Sequence, residues 1–542
     1  MTGGGAARVL RLGALGVALG LLATAHGADI GETIYRKGIL PSDAPLQAQR
    51  EPGMHVEGAA AACINCHRRS GLGMKEGRRT IPPIAGSYLF HPRATNADEL
   101  DLPFVEGMKA DRDPYTEETL ARAIRTGVGA GGESLSYLMP HFRLDDGEMA
   151  ALIAYLKRLS PGVVPGVTPS VLHFATIVTP DADPVKTQGV IDVLTRFFAD
   201  KDRYTRAESP RLHSSRRMMF KVNRRWELHI WRLSGPPESW GTQLRAKLSA
   251  EPVYAVISGV GGRTWAPVQS FCEAEELPCL FPNVDQPVDQ ESDFDTLYFS
   301  KGVLLEAELI AHELRARQDS ATVHRVVQVY RIGDVGVNAA GVLRRALREE
   351  GIPVLEKSLP AGASRRELTT LLGAAVPGDV LVLWLRGKDV AELANPPPGL
   401  GLVYMSGRMG GLEHSPLPAA WRSITHMAYP FDLPDHRRVQ LDYPLGWFRM
   451  QQIPVVAEQA QADTYLACAI LSEAINHMVD TFVRDYLVER IEEALEHRII
   501  TGYYPRLGLA PGQRFASKGG YAVHFAGPTG TRVVADGGWI IP

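Results

Sequence analysis

The stretch AACINCHRRSGLG at residues 61–73 contains two cysteines, Cys63 and Cys66, separated by two residues. His67 follows the second cysteine directly. Two thiols at this spacing can bind a metal, exchange with a disulfide, or add across the two vinyl groups of a haem. Which of these chemistries applies decides the fold of the first third of the chain.

The surrounding sequence favours covalent haem attachment. A zinc site needs two further Cys or His ligands at suitable spacing, and the sequence has no second CxxC. A thioredoxin-like dithiol normally lies between a strand and a helix, whereas a Gly/Ala stretch precedes this motif. A histidine directly after the second cysteine is typical of c-type haem attachment, in which its imidazole becomes the proximal iron ligand.

Four further segments give the motif a consistent context. They are an amphipathic helix at 28–40, a proline loop TIPPIAG at 80–86, a Met-Pro loop SYLMPHF at 136–142 and a helix at 144–160. A backbone carbonyl of the proline loop can orient the His67 ring through its second nitrogen. The last helix has acidic residues in its first turn and basic ones in its last. Its apolar face is predicted to hold Met149, Leu152, Ile153, Leu156 and Leu159.

This order of segments resembles a class I cytochrome c domain over residues 28–162. The resemblance implies that Cys63 and Cys66 carry the thioethers of one covalent haem c, with His67 as proximal and Met139 as distal iron ligand. Met/His ligation closes both axial positions and suits electron transfer more than oxygen chemistry. Other distal ligands stay open, namely Met74, Met108, Met149, His91 and His141, although Met149 is better explained as core.

The N-terminal residues have the form of a secretory signal peptide. Arg8 and Arg11 precede an apolar stretch at 12–25, and small residues lie before a cleavage site near Gly27 or Ala28. The stretch is shorter than the ~20 residues that a spanning helix needs, although an uncleaved anchor is the alternative. We therefore expect residues 1–27 to be removed and the mature protein to be periplasmic, with no membrane span.

Composition excludes few function classes by itself. The formal net charge of -3 and the charged content of 22% give no general attraction to nucleic acid or anionic membrane. A basic run at 211–226 is expected to be a solvated face. The 542 residues provide enough apolar material for two to four domains.

A proline-containing linker at 163–170 separates the first part from a long α/β region at 171–542. Short apolar runs alternate there with helical segments, as in VYAVISGV at 253–260 and DVLVLWLR at 379–386. Repeated βα units predict parallel sheets covered by helices, and their number predicts two lobes.

The α/β region resembles a type I periplasmic binding protein of the branched-chain amino acid transport class. The resemblance rests on segments 253–285, 294–314, 325–356 and 461–475, of which the last resembles the helix that returns to the first lobe. The fold class is therefore multidomain, an all-α cytochrome c domain followed by a two-lobed α/β domain of the periplasmic binding protein type I.

In such a fold, a ligand lies in the cleft between the lobes, at the carboxyl ends of the strands. The loop residues expected there are Ser258, Gly259, Gly261, Tyr298, Ser300 and Tyr330. Asp334 and Trp384 are expected from the second lobe, although Trp384 also fits a core position. The cleft lacks the Ser/Thr-rich turn of an amino acid carboxylate clamp, and segments 226–244 and 503–525 are foreign to amino acid binders.

Three cysteines lie outside the haem motif. Cys272 and Cys279 flank a turn between a helix and a strand, so they form either a disulfide or two buried thiols. Cys468 lies in the apolar segment YLACAILSEAI and is expected in the core.

The sequence favours an electron carrier or binding protein over an enzyme, because P-loop, HExxH and GxSxG motifs are absent. The predicted partner is a periplasmic dehydrogenase or another cytochrome, with a small molecule as a further candidate. Two alternatives stay open: a haem-containing oxidoreductase subunit, and a sensory module in which the haem reports redox state.

Overall fold

The structure is a computed structural model. It describes residues 29–50, 53–76, 79–90, 113–159, 162–208, 224–288, 293–318, 323–478, 481–497, 502–526 and 532–542. The predicted signal peptide at 1–27 lies outside the described residues, as do His91 and Met108 among the alternative iron ligands. Among the helices that the structure describes, none is long and apolar enough to cross a membrane.

The first 158 residues contain short helices and strands. In chain order these are α1 Ile30–Lys37, β1 Gln47–Arg50, β2 Met54–Glu57, α2 Ile64–His67, β3 Met74–Glu76, β4 Arg79–Ile81, α3 Gly86–Leu89, α4 Glu117–Thr126, β5 His141–Arg143 and α5 Asp146–Arg158. The helices predicted at 28–40 and 144–160 are present as α1 and α5. Strands β2, β1 and β5 form a small antiparallel sheet, which the sequence did not predict.

Helices α1 and α5 pack closely because α1 has a glycine at their contact. A Cβ on Gly31 would lie 2.2 Å from the carbonyl oxygen of Ala151, which no other residue type can accommodate. The rings of Tyr35 and Tyr155 lie 5.2 Å apart in the same contact. Asp29 caps α1, since its carboxylate accepts the backbone N–H of Gly31 at 2.9 Å.

The first lobe of the α/β region is a parallel six-stranded sheet with helices on its faces. Its strands are β6 Val171–Val178, β7 Arg225–Arg232, β8 Ala255–Ile257, β9 Cys279–Leu280, β10 Thr296–Ser300 and β16 Phe515–Ser517, in the order β16-β10-β9-β8-β6-β7. Its helices are α6 Pro184–Glu208, α7 Trp240–Ala250, α8 Ala266–Ala274, α16 Glu458–Met478 and α17 Arg484–His497.

The second lobe is a seven-stranded sheet. Its strands are β11 Arg325–Arg331, β12 Val354–Leu359, β13 Asp379–Trp384, β14 Leu402–Ser406, β15 Thr425–Tyr429, β17 Tyr521–Ala526 and β18 Arg532–Ala535, in the order β12-β11-β13-β14-β15-β17-β18. The first five of these in the chain are parallel, and β17 and β18 pair antiparallel. Its helices are α10 Gly336–Glu349, α11 Arg365–Leu372, α12 Gly387–Ala391, α13 Gly407–Gly410, α14 Ala419–Arg422 and α15 Pro434–Met450.

The chain passes between the lobes three times. Helix α9, Val303–Gln318, connects β10 of the first lobe to β11 of the second. Helix α16 returns to the first lobe and packs against α6, and the chain passes again to the second lobe between β16 and β17. This layout agrees with the two lobes and the return helix at 461–475 that the sequence predicted.

The residues group into two compact units. Among the described residues, one comprises those of 29–65 with 113–158, and the other comprises those of 66–90 with 159–542. The segment that begins at Cys66 therefore belongs to the same compact unit as the α/β lobes. The domain bounds 28–162 stay a prediction. Leu72 and Ala85 of this segment lie within the apolar core that also contains Leu172 and Leu487.

Candidate functional site

Residues 64–67 of the CxxCH motif form a single turn of helix, α2, and Cys63 directly precedes it. Cys63 and Cys66 are half-buried and form no disulfide. The two cysteines are three positions apart in the chain, which is the spacing of c-type haem attachment. His67 ends the turn and is 6% exposed.

The His67 ring is held in one orientation by the proline loop. Its Nδ1 lies 3.0 Å from the carbonyl oxygen of Pro82, which can only accept, so Nδ1 carries the proton and donates. Burial lowers the pKa of His67 to about 4, with the hydrogen bond to Pro82 acting in the opposite direction. The ring is thus neutral with Nε2 as its basic nitrogen, the form in which histidine binds iron.

These residues fit a covalently bound haem. Two unoxidised thiols stand at the attachment spacing, and the neighbouring imidazole has its outer nitrogen fixed by a backbone carbonyl. Such a carbonyl contact raises the basicity of the ligating nitrogen and fixes the plane of the ring.

Met139 lies in the loop before β5. It is half-buried, and its backbone N–H donates to the carbonyl oxygen of Ser136 at 2.9 Å. Met139 belongs to one compact unit and His67 to the other. Among the alternatives, Met149 is 3% exposed on α5, as expected of a core residue. The assignment of Met139 as distal ligand stays a prediction.

The residue after His67 has a strained backbone and a buried charge. Arg68 has a φ of 64°, in the left-handed region that non-glycine residues rarely adopt. Its guanidinium forms an ion pair with Glu492 of α17, and both side chains are buried. Glu492 also accepts from Arg514 at 2.8 Å. One buried carboxylate therefore pairs with two buried arginines.

The next two residues also bind α17. Ser70 donates its backbone N–H and its hydroxyl to Glu489, at 2.9 and 2.6 Å. Arg69 contacts Asp485 at 3.2 Å and lies 4.3 Å above the centre of the Phe294 ring. Helix α17 thus carries three carboxylates that contact residues 68–70, which directly follow the CxxCH motif.

The contact with Ser70 predicts a pH dependence of stability. Burial raises the pKa of Glu489 to about 7, opposed by Arg68 and Ser70, whereas unfolded glutamate has a pKa of about 4.3. The folded state keeps a proton that the unfolded state has released, so this stabilisation is complete below about pH 4 and is lost as the pH rises to about 7. Compared with Glu489→Gln, which does not titrate, the wild-type free energy of unfolding should fall by about 2 kcal/mol between pH 5 and 8.

Chemical denaturation of both proteins at several pH values measures this difference. Parallel curves for the wild type and Glu489→Gln would show that Glu489 does not titrate in this range.

The second candidate site is the cleft between the lobes, where charged side chains from both lobes meet. Arg386, two residues after β13, donates to Asp285 of the first lobe at 2.6 Å. The same guanidinium donates to both carboxylate oxygens of Asp334 at 2.9 and 2.7 Å. A bidentate pair of this kind fixes the planar fork of arginine, and here it also joins the two lobes.

Further cations surround Asp285. Arg408 Nη2 lies 3.8 Å and Lys186 Nζ 4.0 Å from its Oδ1. Burial would raise the pKa of Asp285, but Lys186, Arg386 and Arg408 outweigh burial and hold the pKa below its ordinary value. Arg408 Nε is buried and has no hydrogen-bond partner among the described residues. Three basic side chains therefore surround the Asp285 carboxylate where the lobes meet.

Two more acids border this cluster. Burial raises the pKa of Asp463 on α16 to about 7, opposed first by Arg408. Burial likewise raises the pKa of Glu306 on α9 to about 7, against hydrogen bonds from Ser406 and the backbone of Arg408. Near neutral pH the cluster can therefore take up or release protons as its surroundings change.

The predicted first-lobe loop lies beside the cleft but is engaged within the lobe. Ser258 is fully buried, and its hydroxyl is 2.7 Å from Thr464 Oγ1 and 2.9 Å from Asn283 Nδ2. A Cβ on Gly259 or Gly261 would lie 2.5 or 2.8 Å from the Trp265 ring. The glycines are thus explained by packing under Trp265, and ligand binding by this loop stays a prediction.

The other predicted ligand residues each have contacts of their own, and their role in ligand binding stays a prediction. Tyr298 is buried, donates its hydroxyl to Gln269 and stacks on Phe515. Ser300 accepts the backbone N–H of Gly302 at 3.1 Å. Tyr330 lies on β11 of the second lobe and is half-buried.

The remaining predicted positions have definite roles. Cys272 and Cys279 form a disulfide between α8 and β9. Cys468 is fully buried on α16, and burial raises the pKa of its thiol well above the ordinary value. Trp384 is fully buried, and its indole N–H donates to Gln328 at 2.8 Å, so it is a core residue.

Sequence reasoning missed most of the cleft charges. A usable signal existed for two of them, because Arg386 and Arg408 each follow the carboxyl end of a parallel strand by two residues. Charged residues at that position line the ligand crevice of open α/β sheets. Lys186 lies near the start of α6 in a polar sequence and gives no comparable signal.

Comparison with known proteins gives one family match and a set of similar structures. The Cytochrome c family model matches residues 57–160. The chain is similar in structure to a fatty acid ABC transporter substrate-binding protein from Thermomonospora curvata, with 13% identity, 70% of this chain and 95% of that chain covered, and a TM-score of 0.49. It is also similar to a possible leucine/isoleucine/valine-binding protein from Rhodopirellula baltica, with 13% identity, coverage of 68% and 97%, and a TM-score of 0.48.

A third similar structure is an ABC transporter substrate-binding protein from Aeropyrum pernix, with 11% identity, coverage of 69% and 96%, and a TM-score of 0.49. No curated protein matches the chain. The chain thus joins a segment that the Cytochrome c family model matches, at 57–160, to an α/β region built on two sheets.

Proposed function

We propose that this protein is a periplasmic c-type cytochrome that transfers single electrons through one covalent haem. The observation that carries the proposal is the buried, neutral His67, whose Nδ1 is fixed by Pro82 directly beside the two thiols of the CxxCH motif. Cys63 and Cys66 would anchor the haem, and His67 and Met139 would be the iron ligands. Bound haem supplies one-electron chemistry, which two strong axial ligands direct toward electron transfer.

The large domain gives this carrier a second binding surface. Arg386, Arg408 and Lys186 converge on the interlobe cleft around Asp285. These basic groups support binding of a small molecule with an anionic group, which would take over part of the hydrogen bonding of Arg386. The same domain also provides a surface on which a redox partner such as a periplasmic dehydrogenase docks.

A potentiometric titration of protein matured in a periplasm tests the electron-transfer proposal. We expect one transition that follows the Nernst equation for one electron, and reversible reduction without consumption of a substrate. The ferrous protein should also fail to bind carbon monoxide, because Met139 closes the distal face. Several transitions, or rapid carbon monoxide binding, would contradict a single Met/His haem.

The variant Met139→Ala tests whether Met139 is the distal iron ligand. This variant should keep covalent haem, lose the charge-transfer band between methionine sulfur and ferric iron, and autoxidise faster. Absorption spectra of the ferric and ferrous forms provide the measurement. Met149→Leu, which replaces a buried core methionine on α5, is the matched control and should leave the spectrum unchanged. An unchanged spectrum in Met139→Ala would assign the distal position to another residue.

A second candidate function, redox-linked ligand sensing, has specific support. Helix α16 carries Asp463 and Thr464 beside the cleft and packs against α17. Helix α17 in turn binds residues 68–70, directly after His67. A ligand that shifts α16 would therefore change the surroundings of the haem, and the coupling would be reciprocal.

Thermal-shift screening of small carboxylates, with ferric and ferrous protein in parallel, tests this sensing function. A ligand that stabilises one redox state more than the other supports it. A ligand that stabilises both states equally leaves only the electron-carrier proposal.

A further inference from the structure

Two histidines and a glutamate meet on the outer part of the first lobe. His173 lies on β6, and Glu227 and His229 lie on the neighbouring parallel strand β7, with His173 paired to Glu227 in the register. Because side chains alternate between the faces of a strand, residues 173, 227 and 229 share one face of the sheet. The two histidine side chains are 22% and 16% exposed, and the glutamate is 56% exposed.

The distances within this cluster match the ligand set of one metal ion. His173 Nδ1 lies 3.1 Å from His229 Nε2. One carboxylate oxygen of Glu227 lies 3.9 Å from His173 Nδ1, and the other lies 3.9 Å from His229 Nε2. Two nitrogens bound to tetrahedral zinc at about 2.0–2.1 Å lie about 3.3 Å apart. The histidines need almost no movement, and the exposed Glu227 has freedom to close the remaining gap.

A fourth residue, Glu251, contacts the ring nitrogen of His229 that faces away from the cluster. Glu251 Oε2 lies 3.4 Å from His229 Nδ1, on the opposite side of the ring from the cluster. The indole N–H of Trp231 donates to the same oxygen at 2.9 Å and fixes the carboxylate. A carboxylate on the outer nitrogen of a histidine is the usual support of a metal ligand, because it selects the tautomer that leaves Nε2 for the metal.

We propose that His173, His229 and Glu227 bind one divalent transition-metal ion of the zinc class, with Glu251 as a positioning residue. Two imidazoles and one carboxylate suit zinc, and water completes the tetrahedron. The bound ion links β6 to β7, the strand at one edge of the first-lobe sheet. The site therefore stabilises that edge and is independent of the haem motif and the cleft.

Zinc titration of the full-length haem protein, without a histidine tag and after removal of metals with a chelator, tests the proposal. Isothermal calorimetry should give one equivalent of bound zinc, and the melting temperature should rise with zinc concentration. The double variant His173→Gln/His229→Gln should lose this binding, and Glu251→Gln should weaken it about 10- to 100-fold. His414→Ala, which removes a histidine that is 88% exposed, is the control and should bind like the wild type.

The chelated double variant should melt at the temperature of the chelated wild type, which shows that it folds. X-ray absorption at the zinc edge should show only nitrogen and oxygen neighbours at about 2.0–2.1 Å. Absence of zinc binding in the wild type would reduce the cluster to a hydrogen-bonded histidine pair and overturn the proposal. Full binding by the double variant would place zinc elsewhere, for example at His426 and His524, and would also overturn it.

Discussion

The double variant Cys63→Ala/Cys66→Ala is expected to lose all haem that survives denaturation. Both thioether bonds depend on these thiols, and the contact between His67 and Pro82 cannot by itself hold haem covalently. A denaturing gel stained for haem should show the wild type as a coloured band and the double variant as none. Electron transfer to an external acceptor should fall to the background of the haem-free protein.

Cys468→Ala is the matched control, because it also removes a thiol but from the buried face of α16. It should keep full haem content, with some loss of stability from the small cavity. Haem that remains bound in the denatured double variant would show that attachment uses residues other than the CxxCH motif.

Glu492→Ala is expected to destabilise the large domain by about 3–5 kcal/mol. The substitution leaves Arg68 and Arg514 buried without their shared carboxylate, and the desolvation of both charges is then less well compensated. The eight tryptophans all lie between residues 226 and 539. Tryptophan fluorescence during urea unfolding therefore reports on this domain.

Glu496→Ala on the same helix is the control, since Glu496 is exposed and its replacement should change stability by less than about 0.5 kcal/mol. Equal stability of Glu492→Ala and Glu496→Ala would show that the buried ion pairs of Glu492 do not stabilise the contact between residues 68–70 and α17. Haem attachment should be retained in both variants, because neither touches the CxxCH residues.

The sequence was sufficient wherever a local pattern carries the information. The CxxCH motif, the proline loop and the terminal helix are each recognisable from one short stretch of sequence. In the structure the Pro82 carbonyl contacts His67 Nδ1, as expected of a carbonyl in this loop. Strand β13, with the sequence DVLVLW, is buried throughout, in agreement with the continuous apolar run typical of a parallel strand covered on both faces. Two lobes follow from the number of such βα units.

Contacts between distant residues could not be predicted in this way. Arg68 and Glu492 are 424 positions apart, and each resembles an ordinary surface charge when read in the sequence. His173 and His229 are 56 positions apart, and they come together only because β6 and β7 are neighbours in the sheet. The loop at Gly259 and Gly261 shows the opposite error, in which a local pattern suggests too much. These glycines have the pattern of a binding turn, but they pack against Trp265.

The most direct test of the central claim is the intact mass of protein matured in a periplasm, measured under native and denaturing conditions. The account predicts that the denatured chain, without residues 1–27, is heavier than its sequence by the mass of one haem. A further small mass in the native spectrum alone would identify a molecule bound without covalent attachment, for which the cleft is the expected place. A denatured mass equal to that of the bare polypeptide would contradict the claim that this protein is a c-type cytochrome.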